Sequence, residues 1–128
     1  MLAIAHADLG QFDDAWRCIG EAMTAMDATR ERWCEAEAHR VAGEIALKSP
    51  QPDEAKAQAH FEHSLTIARM QQAKSWELRA AMSSARLLSY QGKQKMARDL
   101  LAPVYNWFTE GFNTSDLRKA KALLHELD

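Results

Sequence analysis

The sequence predicts an all-α chain, an α-α superhelix (solenoid) of antiparallel helical hairpins with about seven helices, and three observations predict it. Good helix formers (Ala, Leu, Glu, Lys, Arg, Gln, Met) dominate the 128 residues. Val and Ile are few, and no window alternates apolar and polar residues as a half-buried strand would. A spacing then recurs: Ala15-Ile19-Ala22, Ala57-Phe61-Ser64 and Ala97-Leu101-Val104 each step by four and then three, and Gly92 precedes Ala97 by five as Gly10 precedes Ala15. Ala15 to Ala57 is 42 residues and Ala57 to Ala97 is 40, the difference being the longer Ser49–Pro52 link. Such a period marks a unit that cannot bury its apolar face alone and stacks on its neighbour.

In chain order, residues 1–9 read as a short helix with Leu2, Ile4, Ala5 and Leu9 apolar, ended by Gly10. By the repeat's spacing it is the second half of a helix, which suggests a segment cut from a longer protein or an internal start, and leaves Leu2 and Ile4 as a surface for self-association. The next helix spans about 12–28, with Phe12, Ala15, Trp16, Ile19, Ala22, Met23 and Met26 on one stripe and Asp13 and Asp14 in the first turn, where the helix dipole favours negative charge. A third spans about 31–48 and contains Gly43, which costs about 1 kcal/mol against alanine and so marks a place where another helix crosses closely. Ser49-Pro50-Gln51-Pro52 breaks the chain, because two prolines cannot continue a helix.

The fourth helix runs from Asp53 and Glu54 to about Gln72. The fifth spans Ser75 to about Gln91, closed by Gly92 in the left-handed conformation that glycine tolerates. The sixth covers about 93–110, where the interior Pro103 predicts a kink and a lost bond to the Asp99 carbonyl. Thr114 is a good N-cap for a last helix with Leu117, Ala120, Leu123, Leu124 and Leu127 on its stripe. The units are therefore a partial repeat over 1–29, repeats over 30–72 and 73–111, and a capping helix over 112–128.

Composition bounds the function. An apolar fraction of 47% and a charged fraction of 27% are those of an ordinary globular domain. A net charge of −2 gives no basic footprint for nucleic acid. Cys18 and Cys34 form no CxxC, and Met1-Leu2-Ala3-Ile4-Ala5-His6-Ala7 has no basic segment of the signal-peptide type before Asp8. No run approaches the roughly 20 apolar residues of a membrane span. These features predict a cytoplasmic protein with reduced thiols, no membrane or nucleic-acid partner, and no cofactor.

The spacing of Gly10, Ala15 and Ile19-x-x-Ala22, with Gly43 in the following unit, resembles the tetratricopeptide repeat, with longer helices than its 34-residue unit. Two stretches are more specific: Arg32-Trp33-Cys34-Glu35-Ala36-Glu37-Ala38-His39-Arg40-Val41-Ala42-Gly43-Glu44, and the run from Leu100 through Pro103, Trp107 and Phe112 to Leu124. They are similar to the tail of a family of bacterial signalling proteins that carry a cyclase-like or DNA-binding head and a central P-loop ATPase. The resemblance covers only the tail. With no GxxxxGK[ST], cyclase carboxylate pair or helix-turn-helix in the chain, it implies protein or ligand sensing and self-association but no catalysis. Ser64 departs from the alanine usual at that repeat position.

The first helices of successive hairpins line the concave face of such a solenoid. Projection of the repeat puts Glu37, Arg40, Glu44 and Lys48 there, beside Arg79, Met82, Arg86 and Tyr90. Glu37 falls level with Arg79 and Glu44 with Arg86, each 42 residues apart. The arginines could grip a carboxylate of a peptide in bidentate fashion, or the pairs could be inter-repeat salt bridges worth roughly 0–1 kcal/mol each. His60 and His63, three apart on one helix, could share a metal but lack a third ligand at fixed spacing, so solvated surface histidines are the simpler reading. Trp33 and Trp76 suit inter-repeat packing, and Tyr105, Trp107, Phe108 and Phe112 suit a socket for the last helix. Cys18 or Cys34 with His39 makes only a nominal nucleophile and base, with no oxyanion-forming motif, so no enzyme is expected. The expectation is a protein-interaction module. Its rivals are a sensor for a small anion, which a buried arginine-lined pocket would favour, and a structural spacer.

Overall fold

Six helices with short links make up the computed structural model, which describes residues 12–29, 35–108 and 114–127. They are α1 (Phe12–Thr29), α2 (Glu35–Lys48), α3 (Glu54–Met70), α4 (Lys74–Tyr90), α5 (Gln94–Trp107) and α6 (Ser115–Leu127), with no strand among the described residues. The fold is all-α, as expected. The helix expected over 1–9, its self-association surface, and Trp33, Cys34 and Phe112 lie outside the described residues.

Each helix packs on the next in sequence, and α4 also packs on both α2 and α6, whereas the backbones of α1, α3 and α5 stay apart and α1 meets α3 through side chains, the Lys56 ammonium lying 3.9 Å over the Trp16 ring. Links of a few residues force neighbouring helices to run antiparallel. The helices thus alternate between two layers, α2, α4 and α6 in one and α1, α3 and α5 in the other. The repeat phase is what this packing buries. Ala15, Ala57 and Ala97 are fully enclosed, as are Phe61 and Leu101, with Ile19, Ser64 and Val104 nearly so; Ala22 is half-buried. The small residue lets the neighbouring backbone approach, and the large one four places on fills the space behind it.

Gly43 is the close crossing that its position implied. A Cβ on it would lie 2.5 Å from Cε1 of the fully buried Phe61 ring, so α2 and α3 approach over glycine. The Ser64 hydroxyl on α3 donates to the Ala36 carbonyl on α2 at 2.6 Å. The repeat's departure from alanine therefore adds an inter-helix hydrogen bond inside the core. Between these helices, Ser49 Oγ donates to the Ile45 and Ala46 carbonyls, and Asp53 caps α3 by accepting from the Lys56 amide at 2.9 Å. The prolines therefore sit in a link whose backbone ends are satisfied.

α3 and α4 end alike. Ala73 N–H donates to Ala68 O and Gln72 N–H to Arg69 O; Lys93 N–H donates to Leu88 O and Gly92 N–H to Ser89 O. These are paired 6→1 and 5→2 bonds of the Schellman motif, whose C′ residue must be left-handed. At the end of α4 that residue is Gly92, φ +79°, as its position predicts; at the end of α3 it is Gln72, φ +54°. A side chain there costs about 1 kcal/mol that glycine does not. Gln72→Gly is therefore expected to stabilise the protein by roughly 0.5–1 kcal/mol in urea unfolding, with the slope unchanged.

Two expectations need correction. α5 passes through Pro103 and stops at Trp107, where Phe108 turns extended (ψ 133°), rather than continuing to 110. Trp107, placed in sequence with the socket residues, is 57% exposed and lies under the Lys74 ammonium at 5.1 Å. Tyr105 and Phe108 do pack against the cluster that holds Leu117, Ala120, Leu123 and Leu127 of α6. Trp76 packs on Ala36, Ile67 and Ala68 across the junction between units, as expected.

Candidate functional site

Along α2, residues 37, 40, 44 and 47 recur at helical spacing, and along α4 so do 79, 82–83, 86–87 and 90. Because α2 and α4 pack side by side, these rows flank one groove, and the first turn of α6 closes one end. The groove has two recesses. One, of about 500 Å³, is lined by Arg40, Arg79, Met82, Arg86, Asp116 and Lys119, with Thr114 and Ser115 at its edge. The other, of about 560 Å³, is lined by Leu47, Pro52, Leu87 and Tyr90 with Glu44, Glu54, Ser83 and Arg86. Both open to solvent.

A chain of ion pairs runs under the basic recess. Arg40 grips Glu37 with two nitrogens, Nε lying 2.9 Å from Oε2, and lies 3.9 Å from Glu44. Arg79 reaches Asp116 of α6 at 2.9 Å and Glu37 at 3.9 Å. Burial works against the Arg40 charge, but the hydrogen bond and charge of Glu37, with Glu44 and Asp116 nearby, outweigh it and hold the guanidinium above its ordinary pKa. Arg40 and Arg79 are thus committed to tying three helices together. Arg86 is exposed, lines both recesses, and makes no ion pair among the described residues.

The eight residues expected on this face separate accordingly. Arg40, Arg79, Met82 and Arg86 meet in the basic recess, and Glu44, Arg86 and Tyr90 in the apolar one, although Met82 is itself 3% exposed. Glu37 acts through Arg40 and Arg79 rather than lining the groove. Lys48, at the exposed end of α2, lines neither recess. The Glu37–Arg79 pair forms across the units as the 42-residue offset predicts, whereas Glu44 and Arg86 line the same recess without pairing. Sequence reasoning does not reach Asp116 and Lys119 as groove residues, because the apolar stripe of α6 marks only a capping helix. A signal existed: 40 residues beyond Arg79 is Lys119.

On the side of α2 facing α3, His39 joins the two histidines singled out in sequence. Its Nδ1 is 3.3 Å from Nδ1 of His60, and its ring stacks on His63 with centroids 4.1 Å apart and planes 13° from parallel. Stacked rings aim their nitrogen lone pairs side by side rather than at one point, and among the described residues no set of three ligands converges on a metal. Burial, then the charges of His63 and His60, hold the His39 pKa down at about 4, with Glu35 opposing; burial, Lys56 and His63 lower that of His60. Cys18, half-buried on α1, packs beside the cluster of Ala15, Ile19, Val41, Ala42 and Ile45.

Among the described residues no helix is long and apolar enough to cross a membrane. Comparison with family models, with curated proteins and with solved structures finds no match. The class that fold and groove define is an all-helical protein with an open, two-sided cleft between its packed helices.

Proposed function

We propose that the protein is an interaction module that docks a peptide segment of a protein partner in the α2/α4 groove, within a cytoplasmic signalling or regulatory protein of the kind its sequence resembles. The observation that carries this reading is Arg86, a guanidinium with no ion pair among the described residues, exposed between a basic and an apolar recess. Guanidinium groups bind carboxylates through two parallel hydrogen bonds, and Arg86 need break no ion pair to do so. An open cleft suits an extended segment. The enclosed pocket that would favour a small-molecule sensor is not what these walls make. A purely structural spacer has no use for an exposed arginine shared by both recesses of the groove.

Selection of random heptapeptides displayed on phage tests the reading. Selected peptides are expected to perturb the backbone amides of α2 and α4 and to lose at least tenfold in affinity on Arg86→Glu. Peptides that bind Arg86→Glu as tightly as the wild type would remove the proposal. Arg86 is the right site for reversal, since Arg79→Glu would also break the ties to Asp116 and Glu37. The four cations around the basic recess favour one second reading, a small anion held there. Saturable inorganic phosphate binding, with no peptide selected, would be its signature.

A further inference from the structure

Resting on that docking reading, we infer that the occupant is bipartite: a peptide with an acidic group that sits against Arg86 in the basic recess and a large apolar side chain that enters the recess walled by Leu47, Leu87 and Tyr90. The two recesses differ in what they can satisfy. Around the basic one stand Arg40, Arg79, Arg86 and Lys119 against a single lining carboxylate, Asp116. Even with Arg40 and Arg79 neutralised by Glu37 and Asp116, Arg86 and Lys119 leave an excess of positive charge. The apolar recess carries Glu44 and Glu54 on its walls against Arg86 alone.

That gradient decides the composition of the occupant. A uniformly acidic segment would meet Glu44 and Glu54 in the second recess, and like charges brought together there oppose it. A uniformly apolar segment would desolvate Arg86 and Lys119 without replacing their water. A segment with one acidic and one apolar group satisfies both, and Arg86, shared by the two recesses, fixes their order along the groove. Tyr90 suits the apolar end, since it is 83% exposed at the last position of α4 and orders few torsions on binding. Arginine and tyrosine are also among the residue types that most often dominate binding energy at interfaces.

The test uses the same phage-displayed heptapeptides, followed by synthetic peptides made from the selected sequences. Wild type is expected to enrich Asp or Glu together with Leu, Ile or Phe at one fixed spacing. Alanine at either position should lower affinity at least tenfold. Arg86→Glu should abolish the choice of acid while the apolar preference persists, and Tyr90→Ala should weaken the apolar preference while acid is still selected. Both positions are exposed, and unchanged far-ultraviolet circular dichroism controls for folding. Peptides that perturb α2 and α4 but bind fully with the acid alone, or with the apolar group alone, overturn the bipartite inference and leave docking intact. No peptide perturbing α2 and α4 overturns the docking reading itself.

Discussion

Gly43→Ala is expected to destabilise the protein by about 1–3 kcal/mol, although alanine is worth roughly 1 kcal/mol more than glycine in a helix interior. The added Cβ would stand 2.5, 2.7 and 3.0 Å from three carbons of the Phe61 ring. That ring is fully buried among Ala46, Ala57 and Leu87, with Trp16 and Leu47 against it, so it has no free direction in which to retreat. Phe61→Ala alone should cost about 3–5 kcal/mol by cavity formation. The sharper measurement is a double-mutant cycle in urea: Gly43→Ala should cost much less in a Phe61→Leu background, where the ring that clashes is gone. Gly43→Ala as stable as the wild type, or more so, would mean that the crossing is looser than these distances. The groove feels the same contact. Leu87 and Leu47 pack against the Phe61 cluster and also line the apolar recess, so forcing α2 away from α3 reshapes the binding wall.

Gly43 was legible in the sequence, as were the buried phases of the three repeats and the turn at Gly92, because each follows from backbone geometry. Helical period decides which residues share a face, and a glycine where the helix would prefer alanine marks a demand on space or on φ. Gln72 carried no such mark. Its left-handed φ comes from the bonds that close the end of α3, and those tolerate a side chain at modest cost. The charged groove was legible in part: helical spacing gave Arg40, Glu44, Arg79, Met82, Arg86 and Tyr90, and the 42-residue offset gave the Glu37–Arg79 pair, but not Lys119 or the pairing of Arg79 with Asp116. Arg79 has both Glu37 and Asp116 within reach, and the choice between them depends on rotamers and on where α6 lands. The same holds for His39, which meets His60 from 21 residues away with no spacing rule to announce it.

Acidification is expected to loosen the pairing of α2 and α3 through His39, and His39→Gln to remove that part of the loss. The geometry sets the sign. The His39–His60 contact, Nδ1 to Nδ1, needs one ring to donate and the other to accept, so it cannot hold when both are imidazolium. His63 stacked on one side and Lys56 beside His60 add further positive charge on α3, and Glu35 on α2 opposes them. His39 is therefore neutral in the folded protein down to about pH 4, while in the unfolded chain it takes up a proton near 6.5. Its contribution to stability is present in full above about pH 6.5, declines as the pH falls toward 4, and changes no further below that. His39 is only half-buried, so solvent screening limits the expected loss to roughly 1–2 kcal/mol. Urea unfolding of wild type and His39→Gln between pH 7.5 and 4 reads it directly, since glutamine can still hydrogen-bond to His60 but does not titrate. The two curves should diverge only below about pH 6.5, the wild type losing more. Parallel curves would mean that the cluster opens to water before it is protonated. Loss confined to the wild type would tie the docking of α2, and with it the wall that carries Arg40 and Leu47, to the protonation of a residue on its opposite face.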